Sequence, residues 1–148
     1  MRKTDILIIG AGPAGMMAAI YAQRAGKDIV LLDKNAPGGR INATSQVDNY
    51  LGFGKVNAQE LVEKMVSHLS DHGIETTQGV VKKVNSAMGG FQIITDKDEF
   101  FCRALVIASG TNPKPLGVEN EQSLLAKGIS YCAVCDGVFF KDEDVCVI

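Results

Sequence analysis

Apolar runs alternate with a glycine-rich turn near the start of the chain. The run Asp5-Ile6-Leu7-Ile8-Ile9 is typical of a parallel strand buried on both faces, and it leads directly into Gly10-Ala11-Gly12-Pro13-Ala14-Gly15. The residues from Met16 to Ala22 have a helical apolar face, and Gly26 predicts the end of that helix. A second buried strand is predicted from Ile29 to Leu32. The pattern is therefore strand, glycine turn, helix, strand.

Each part of this pattern suits the binding of a dinucleotide. Gly10 permits a tight turn, Gly12 lets the backbone approach a pyrophosphate, and Gly15 lets the helix pack on the strand. The phosphate charge would lie at the helix N-terminus. Asp33 follows the second strand at about the 20-residue spacing at which an acid bonds the ribose hydroxyls. A glycine-rich turn in an ordinary α/β protein would leave this acid unexplained, so we expect a dinucleotide site.

The segment after the second strand is long and irregular. Residues 36–44 are polar and turn-forming, with adjacent glycines at Gly38 and Gly39, and residues 47–54 combine aromatic residues with glycine. A nicotinamide-binding domain would usually continue into another crossover helix here, whereas this chain has about twenty residues of loop. The pattern favours a loop that lines a longer cofactor.

An amphipathic helix is predicted from Ala58 to His72, with Gly73 as its cap. His68 and His72 lie one turn apart and could bind a metal together with Asp71. No further ligand cluster accompanies them, and a solvated helix end explains both histidines. We therefore expect no metal site.

Short alternating runs between Ile74 and Phe101 predict a small antiparallel meander. Its strands are expected at 74–77, 79–84, 91–95 and 99–102, with Cys102 buried as a small hydrophobe. A separate buried strand at 104–108 ends in a glycine turn, which would return the chain to the same cofactor edge.

The last part of the chain begins with a segment that breaks regular structure. Pro113-Lys114-Pro115 is interpreted as a linker. A short helix is expected from Asn120 to Lys127. Asp144 to Ile148 is expected to begin another apolar strand, with Cys146 in the core.

Cys132 and Cys135 form a Cys-x-x-Cys pair directly before Asp136. Such a pair can close and reopen a small disulfide ring, and the acid offers a proton to a leaving thiolate. A structural disulfide, two buried cysteines in one turn, and half of a zinc site are the alternatives. Zinc needs about four ligands, and neither a second Cys-x-x-Cys nor a Cys-x-x-His follows. The pair by itself leaves the redox and structural interpretations open.

Composition and charge narrow the class of protein. The 148 residues are 46% hydrophobic and 22% charged, an ordinary composition for one domain. No apolar run approaches the roughly 20 residues of a membrane-spanning helix. The net charge of -2, without a Lys/Arg cluster, gives no reason to expect nucleic acid or a membrane as a partner. The N-terminus is interpreted as a strand and not a signal peptide, so the four cysteines favour a reducing compartment.

The sequence resembles the low-molecular-weight thioredoxin reductases of the bacterial type along its whole length. The motifs that carry the resemblance are Gly10-Ala11-Gly12-Pro13-Ala14-Gly15, Gly38-Gly39-Arg40, Asn49-Tyr50-Leu51-Gly52-Phe53, Ala108-Ser109-Gly110-Thr111 and Gly128-Ile129-Ser130-Tyr131-Cys132-Ala133-Val134-Cys135-Asp136-Gly137. Many flavoproteins share the first motif, whereas the last is highly specific. Leu51 stands where the family often has proline, and Asp33 where many flavoproteins have glutamate. Family members are substantially longer, so the chain is interpreted as the N-terminal part of such an enzyme.

The resemblance implies an α/β fold. A Rossmann-like FAD-binding domain, with a parallel sheet, helices and a small antiparallel β-meander, would be followed by the start of a second nucleotide-binding domain. Residues 1–113 would form the N-terminal part of the FAD-binding domain. Residues 114–148 would start the NADPH-binding domain and carry the redox dithiol, with the NADPH site itself beyond this chain. The residues expected to bind FAD are Gly10, Gly12, Pro13, Ala14, Gly15, Asp33, Lys34, Gly38, Gly39, Arg40, Ile41, Asn49, Val81, Ala108, Ser109 and Gly110.

The resemblance also implies a mechanism. NADPH reduces FAD, and the flavin passes two electrons to a disulfide between Cys132 and Cys135. Cys135 would attack the disulfide of thioredoxin, Asp136 would act as the acid, and Cys132 would resolve the mixed disulfide. A rotation between domains about Pro113-Lys114-Pro115 would let the dithiol meet flavin and thioredoxin in turn. The family further implies a homodimer in the cytoplasm, with no nucleic acid and no membrane as partner.

Two alternatives stay open. A related enzyme takes its electrons from ferredoxin instead of NADPH, and the residues that would discriminate lie beyond Ile148. The isolated chain could instead be an inactive, partial flavin-binding fragment, because half of a split domain leaves apolar strand edges unpaired. A relative with an extra N-terminal domain that reduces peroxiredoxins is disfavoured, since Met1 directly precedes the first strand.

Overall fold

The computed structural model describes residues 1–125 and 127–148, apart from the side chain of Cys135. The chain forms two compact units, Met1–Gly110 and Thr111–Ile148. The assignment of residues 1–113 to an FAD-binding domain and of residues 114–148 to an NADPH-binding domain stays a prediction.

The first unit is built on a six-stranded mixed sheet. The strands of this unit are β1 (Arg2–Ile9), β2 (Ile29–Asp33), β3 (Gln46–Val47), β4 (Val56–Asn57), β5 (Thr76–Gln78), β6 (Val81–Ala87), β7 (Gly90–Thr95) and β8 (Glu99–Ile107). The sheet has the order β5-β2-β1-β8-β7-β6, and β3 and β4 form a separate antiparallel ribbon. The first four strands in this order run parallel to one another; they are β5, β2, β1 and β8. The last two strands, β7 and β6, are joined to them by antiparallel pairing. This arrangement confirms the predicted α/β fold with a small antiparallel meander.

The carboxyl ends of three parallel strands are level with one another. Ile9 of β1 pairs with Leu32 of β2 on one side and with Ile107 of β8 on the other. Gly10 and Ala108, which follow β1 and β8, therefore lie side by side at one edge of the sheet. In parallel sheets, this is the edge at which ligands bind.

The meander differs from the sequence prediction in two respects. The pattern predicts separate strands at 99–102 and 104–108, but β8 is one continuous strand. Its pairing with β1 extends along nearly its whole length, and its first half also pairs with β7 on the other side. The pattern also places residues 74–77 in the meander. In the structure, β5 instead extends the parallel part of the sheet, with Thr76 paired to Leu31. Alternating polarity in short runs does not reveal which neighbour a strand will choose.

Two helices lie against one face of the sheet, α1 (Pro13–Arg24) and α2 (Ala58–Asp71). The side-chain oxygen of Asn57 caps α2 by accepting the backbone N–H groups of Gln59 at 2.9 Å and Glu60 at 3.3 Å. Gly73 has a φ of +69° directly after the last turn. The predicted helix from Ala58 to His72 is thus confirmed within one residue. No helix in residues 1–125 and 127–148 is long and apolar enough to cross a membrane.

The sheet separates two clusters of buried side chains. The helix-covered cluster contains Ile8, Ala11, Met16, Ala19, Ile20, Leu31, Leu69 and Ile74. The cluster on the opposite face contains Leu7, Val30, Leu32, Ile93, Phe100 and Cys102. Successive residues at positions 6–9 of β1 and 29–32 of β2 point to opposite clusters, which explains why these two runs are apolar without interruption. The prediction that Cys102 is buried is confirmed.

The second unit contains short elements only, within its described residues. These are α3 (Glu121–Leu124), α4 (Ala133–Asp136) and a 3-10 turn at Gly137–Phe140. The predicted strand at residues 144–148 is wrong, since these residues have no regular structure. Cys146 is exposed, so its predicted place in a core is also wrong. A strand needs a neighbour for its backbone groups, and no described segment pairs with this one.

Candidate functional site

Gly10 forms the turn that follows β1. Its N–H donates to the Leu32 carbonyl oxygen at 2.7 Å, and the Ala108 N–H donates to the Ile9 carbonyl oxygen at 2.8 Å. Gly10 has a φ of +106°, and a Cβ placed on it would lie only 2.3 Å from the carbonyl oxygen of Ala108. A side chain at position 10 would therefore force the turn away from the end of β8.

Gly15 brings α1 directly onto this turn. A Cβ at position 15 would lie 1.7 Å from the carbonyl oxygen of Gly10 and 3.4 Å from the Cβ of Ala108. No side chain fits in that space. The fold therefore requires glycine at positions 10 and 15 whether or not a ligand binds.

Gly12 and Gly39 approach each other closely, since a Cβ on Gly39 would lie 3.2 Å from the Cα of Gly12. A Cβ on Gly12 would meet only one described atom within 4 Å, the Cα of Gly39 at 3.9 Å. The approach of the two segments is held by the N–H of Gly38, which donates to the carbonyl oxygen of Ala11 at 2.9 Å. Gly39 itself has a φ of +58°. The two glycines therefore present bare backbone, without side chains, at the start of α1.

The N-terminus of α1 suits an anion. Gly12 is its N-cap and makes no side-chain capping hydrogen bond, and the first turn of the helix contains no acidic residue. The first N–H groups of a helix have no partner within the helix and carry a partial positive charge. Beside the bare backbone of Gly39, this end of α1 forms a cradle that fits a phosphate group.

Asp33 fastens the glycine turn to the end of β2. Its Oδ2 accepts the N–H of Ala11 at 2.6 Å, and its Oδ1 accepts the N–H of Asn35 at 2.8 Å. The sequence predicts that Asp33 bonds a ribose. The geometry gives this carboxylate a second role, because it fixes the backbone of the turn between Gly10 and Gly12.

The other predicted FAD-binding residues are spread around this edge of the first unit. Lys34 follows β2 and is exposed, Arg40 and Ile41 lie in the 3-10 turn Gly39–Ala43, and Asn49 is exposed after β3. Ser109 and Gly110 are exposed after β8, while Val81 opens β6 and packs against the buried cluster around Leu7. Sequence order alone does not reveal which of these side chains would face a ligand.

Hydrogen bonds identify two residues that the sequence analysis missed. The backbone of Ala11 connects the glycine turn to two other segments, since its N–H donates to Asp33 and its carbonyl oxygen accepts from the N–H of Gly38. Asn42 packs against Gly38, where an added Cβ would lie 2.6 Å from the Asn42 Oδ1, and its Nδ2 donates to the Pro37 oxygen at 2.9 Å. An asparagine a few residues after a glycine pair is a turn signal that could have drawn attention to Asn42.

An open cleft borders the loop that is predicted to line a cofactor. It has a volume of about 350 Å³ and is lined by Asn42, Thr44, Ser45, Asn57, Ala58 and Gln59. The polar lining offers hydrogen-bond partners. His68 lies in α2 and His72 is the C-cap residue of that helix, with their ring centroids 5.3 Å apart. No group of three or more metal-binding side chains occurs among the described residues.

The second unit carries the predicted dithiol. Cys132 is disulfide-bonded, and the backbone of Cys135 lies in α4. The hydroxyl of Ser130 donates to the Oδ2 of Asp136 at 2.6 Å and accepts the N–H of Cys132 at 3.0 Å. The Asp136 N–H donates to the Cys132 oxygen at 3.0 Å. The predicted acid thus lies within one hydrogen-bonded turn with the first cysteine.

A buried carboxylate anchors the residue before Cys132. Glu121 accepts the hydroxyl of Tyr131, the N–H of Leu116 at 3.2 Å and the N–H of Gly117 at 2.7 Å. The Leu116 N–H also donates to the Tyr131 hydroxyl oxygen at 2.8 Å. The Tyr131 hydroxyl and the Gly117 amide hold the pKa of Glu121 below its ordinary value, and the bond to Glu121 raises the pKa of Tyr131. Sequence analysis missed this pair, since nothing in the pattern links residues ten apart across a short helix.

Comparison with known proteins gives the chain its family. The family model of the pyridine nucleotide-disulphide oxidoreductases matches residues 4–148. The thioredoxin reductase of Bacillus subtilis strain 168 is 40% identical over 144 residues, which are 97% of this chain and 46% of that protein. The chain spans about half the length of the curated relatives it matches.

Solved structures give the same relationship. The thioredoxin reductase of Streptococcus pyogenes MGAS5005 matches with a TM-score of 0.80 and 38% identity, over 93% of this chain and 45% of that one. A ferredoxin-flavin thioredoxin reductase from Clostridium acetobutylicum matches with a TM-score of 0.72 and 35% identity, over 95% of this chain and 48% of that one. These matches confirm the resemblance to thioredoxin reductases. Since the family model covers nearly the whole sequence, the chain belongs to the pyridine nucleotide-disulphide oxidoreductase family.

Proposed function

We propose that the protein is a flavin-dependent disulfide reductase that passes electrons from NADPH through FAD and a Cys132/Cys135 pair to thioredoxin. The observation that carries the proposal is the disulfide at Cys132 next to the hydrogen-bonded Asp136, in a chain that also has a glycine cradle at the N-terminus of α1. The similarity to thioredoxin reductases supports the choice of substrate.

The residues at the glycine cradle fit the pyrophosphate of FAD. Gly12 and Gly39 present backbone without side chains, against which phosphate oxygens would lie, and the start of α1 supplies N–H groups and a favourable dipole. Bound FAD would supply a two-electron carrier between NADPH and the disulfide. The residues proposed to hold it are Gly10, Gly12, Pro13, Ala14, Gly15, Asp33, Lys34, Gly38, Gly39, Arg40, Ile41, Asn49, Val81, Ala108, Ser109 and Gly110.

Asp33 has a specific place in this proposal. Because its carboxylate already accepts N–H groups of Ala11 and Asn35, it is held rigidly at the end of β2. A carboxylate oxygen has more than one lone-pair direction, so the same group can also accept a ribose hydroxyl. Asp33 would then link the ribose to the turn that carries the phosphates.

The chemistry of disulfide exchange is assigned to three residues. Cys135 is the proposed nucleophile toward thioredoxin, Cys132 resolves the mixed disulfide by closing the ring with Cys135, and Asp136 supplies the proton for the leaving sulfur. The assignment to Asp136 is supported by its short bond to Ser130, which holds its carboxylate in the same turn as Cys132. The pairing of Cys132 with Cys135 is part of the proposal.

The wider setting follows from the family resemblance. We place the NADPH site outside this chain, in the part of the relatives' length that the chain does not span. Rotation about Pro113-Lys114-Pro115, assembly as a homodimer and a cytoplasmic location belong to the same proposal. The free thiols of Cys102 and Cys146 are compatible with a reducing compartment.

The experiment compares Cys135→Ser with Cys146→Ser in the full-length, FAD-containing protein. Cys146 is an exposed free thiol and serves as the matched control. Cys135→Ser is expected to abolish reduction of oxidised thioredoxin by NADPH and to leave the reduction of an artificial electron acceptor intact. Cys146→Ser should behave like the unaltered protein. Thioredoxin reduction at the normal rate by the Cys135 variant would overturn the proposal.

A ferredoxin-dependent enzyme is the second candidate, because the Clostridium acetobutylicum structure matches this chain with a TM-score of 0.72. The two differ in the electron donor. Anaerobic addition of NADPH should bleach the visible flavin absorbance of an NADPH-dependent enzyme within the mixing time. Bleaching by reduced ferredoxin but not by NADPH would favour the second candidate.

The isolated 148-residue chain should also be tested for bound flavin, since the absence of bound flavin would favour the interpretation as an inactive fragment.

A further inference from the structure

The hydroxyl of Ser130 joins two parts of the Cys-x-x-Cys turn. Its oxygen lies 3.0 Å from the amide nitrogen of Cys132 and 2.6 Å from the Oδ2 of Asp136. The amide of Asp136 also donates to the carbonyl oxygen of Cys132 at 3.0 Å. Three hydrogen bonds therefore close a ring that contains the first cysteine and the proposed acid.

The direction of these bonds follows from the chemistry of the groups. An amide N–H can only donate, so the Ser130 oxygen must accept from Cys132. An ionised carboxylate can only accept, so the Ser130 hydrogen must point to the Oδ2 of Asp136. The carboxyl group can take up a proton on Oδ1 without breaking this bond. Protonation at Oδ1 therefore keeps all three hydrogen bonds in place, whereas protonation at Oδ2 would require the Ser130 hydroxyl hydrogen to turn away.

We infer that Ser130 is a positioning residue for proton transfer by Asp136, holding Oδ2 so that the proton is carried and released at Oδ1. The inference rests on the proposed function and extends it. In the step concerned, the Cys135 thiolate forms a bond to one sulfur of the thioredoxin disulfide, and the bond between the two thioredoxin sulfurs breaks. The leaving sulfur takes that electron pair and accepts the proton from Asp136. The products are a mixed disulfide, a thiol and an Asp136 carboxylate that still accepts the Ser130 hydroxyl.

Ser123 provides a matched control within the same unit. Its hydroxyl is also exposed and also makes a local hydrogen bond, to the carbonyl oxygen of Asn120 at 2.8 Å. That bond stays within α3 and its N-cap and involves neither cysteine nor Asp136. If the loss of a surface serine hydroxyl alone lowered the exchange rate, Ser123→Ala and Ser130→Ala would lower it equally.

The test is a rapid-mixing experiment on the full-length, FAD-containing protein, with its dithiol reduced anaerobically before oxidised thioredoxin is added. Ser130→Ala is expected to slow thiol–disulfide exchange at saturating thioredoxin by about tenfold, a part of the roughly hundredfold that general acid catalysis contributes. The thioredoxin concentration that gives half of the maximal exchange rate should stay within about twofold of the value for the unaltered protein, since the hydroxyl acts on the proton donor and not on binding. Ser130→Thr, which keeps a hydroxyl, and Ser123→Ala should both react at the original rate.

A double variant shows whether Ser130 acts through Asp136. Ser130→Ala should add no further loss to Asp136→Asn, because the group it positions is already gone. Adding imidazole at constant pH should accelerate Ser130→Ala and leave the unaltered protein unchanged, because a free acid replaces the misplaced one. Ser130→Gly repeats the test should the alanine variant fail to fold.

Different outcomes separate the inference from the proposed function. An unaltered rate for Ser130→Ala and Ser130→Gly, or losses that multiply in the double variant, would overturn the inference while thioredoxin reduction itself stands. Failure of the unaltered, reduced protein to reduce thioredoxin would overturn both.

Discussion

Tyr131 donates its phenolic hydrogen to the buried carboxylate of Glu121, which also accepts the backbone N–H groups of Leu116 and Gly117. Only 7% of Glu121 is exposed, whereas most neighbouring residues of the second unit are exposed. The pair therefore joins the segment after Pro113-Lys114-Pro115 to the residue that precedes Cys132. It is the most extensive side-chain network among the described residues of this unit.

Ionisation of this pair predicts a pH window for the stability of the second unit. The pKa of Glu121 is lowered by the Tyr131 hydroxyl, so its contribution is present above the ordinary glutamate range and is lost as pH falls through the lowered folded value. The pKa of Tyr131 is raised by the bond to Glu121, so its contribution is present below the ordinary tyrosine range and is lost as pH rises through the raised folded value. Protection of the Leu116 and Gly117 amides against hydrogen exchange should be highest between these limits. Glu121→Gln and Tyr131→Phe should each reduce it at neutral pH, and an unchanged protection factor in both would contradict this interpretation.

An alanine substitution at Gly15 should impair folding, whereas the same substitution at Gly12 should impair only the proposed binding of FAD. Gly15→Ala places a Cβ 1.7 Å from the Gly10 oxygen and should destabilise the protein by about 3 kcal/mol or more. Gly12→Ala meets no described atom within 3.8 Å, so folding should be retained, but the Cβ occupies the proposed phosphate position and should weaken FAD binding about tenfold or more. Thermal unfolding and a flavin fluorescence titration measure the two effects. Equal FAD affinity for the Gly12 variant and the original protein would remove Gly12 from the proposed site.

Asp33 is predicted to stabilise the glycine turn even without a ligand. Asp33→Ala removes the acceptors of the Ala11 and Asn35 amides and should cost about 2 kcal/mol in the free energy of unfolding. Asp33→Asn keeps one acceptor oxygen and should cost less. Asp71→Ala, at the exposed end of α2, is the control and should stay within about 0.5 kcal/mol. Denaturant unfolding of the flavin-free protein gives these values, and equal stability of Asp33→Ala and the control would show that the turn does not need the carboxylate.

The two free cysteines should differ in reactivity. Cys102 is fully buried, and this burial raises the pKa of its thiol, so little thiolate forms near neutral pH. Cys146 is exposed. Iodoacetamide followed by peptide mass spectrometry should label Cys146 within minutes and Cys102 only after denaturation. Rapid labelling of Cys102 in the folded protein would contradict its place in β8 and in the buried cluster around Leu7.

Long, strongly patterned segments could be predicted from the sequence. The order of β1, the glycine turn, α1 and β2 follows from apolar runs that are unbroken because both faces of the strands are buried. The helix from Ala58 follows from its amphipathic pattern and the Asn57 cap. These signals are local, so the sequence is sufficient to reveal them.

Other features depend on contacts between distant residues. The pairing of β5 with β2 is set by contacts between segments far apart in sequence. Residues 144–148 form no strand, since no segment that the structure describes pairs with them. Within the candidate site, the spacing from Gly10 to Asp33 predicted an acid near the turn, but not that its carboxylate accepts the Ala11 amide. The bonds of Ser130 and Glu121 are likewise made by common polar residues that no sequence pattern distinguishes from solvated ones.

Cys132 and Cys135 are proposed to open and close as one redox pair, and the most direct measurement of this is their labelling state during turnover. The full-length, FAD-containing protein is quenched with iodoacetamide before NADPH, after anaerobic NADPH, and after subsequent oxidised thioredoxin, and the cysteine peptides are identified by mass spectrometry. Exposed Cys146 serves as the internal control, labelled in every sample. We predict that Cys132 and Cys135 are both protected before NADPH, both labelled after it, and both protected again after thioredoxin. Turnover of thioredoxin with the labelling of these two cysteines unchanged throughout would contradict the account.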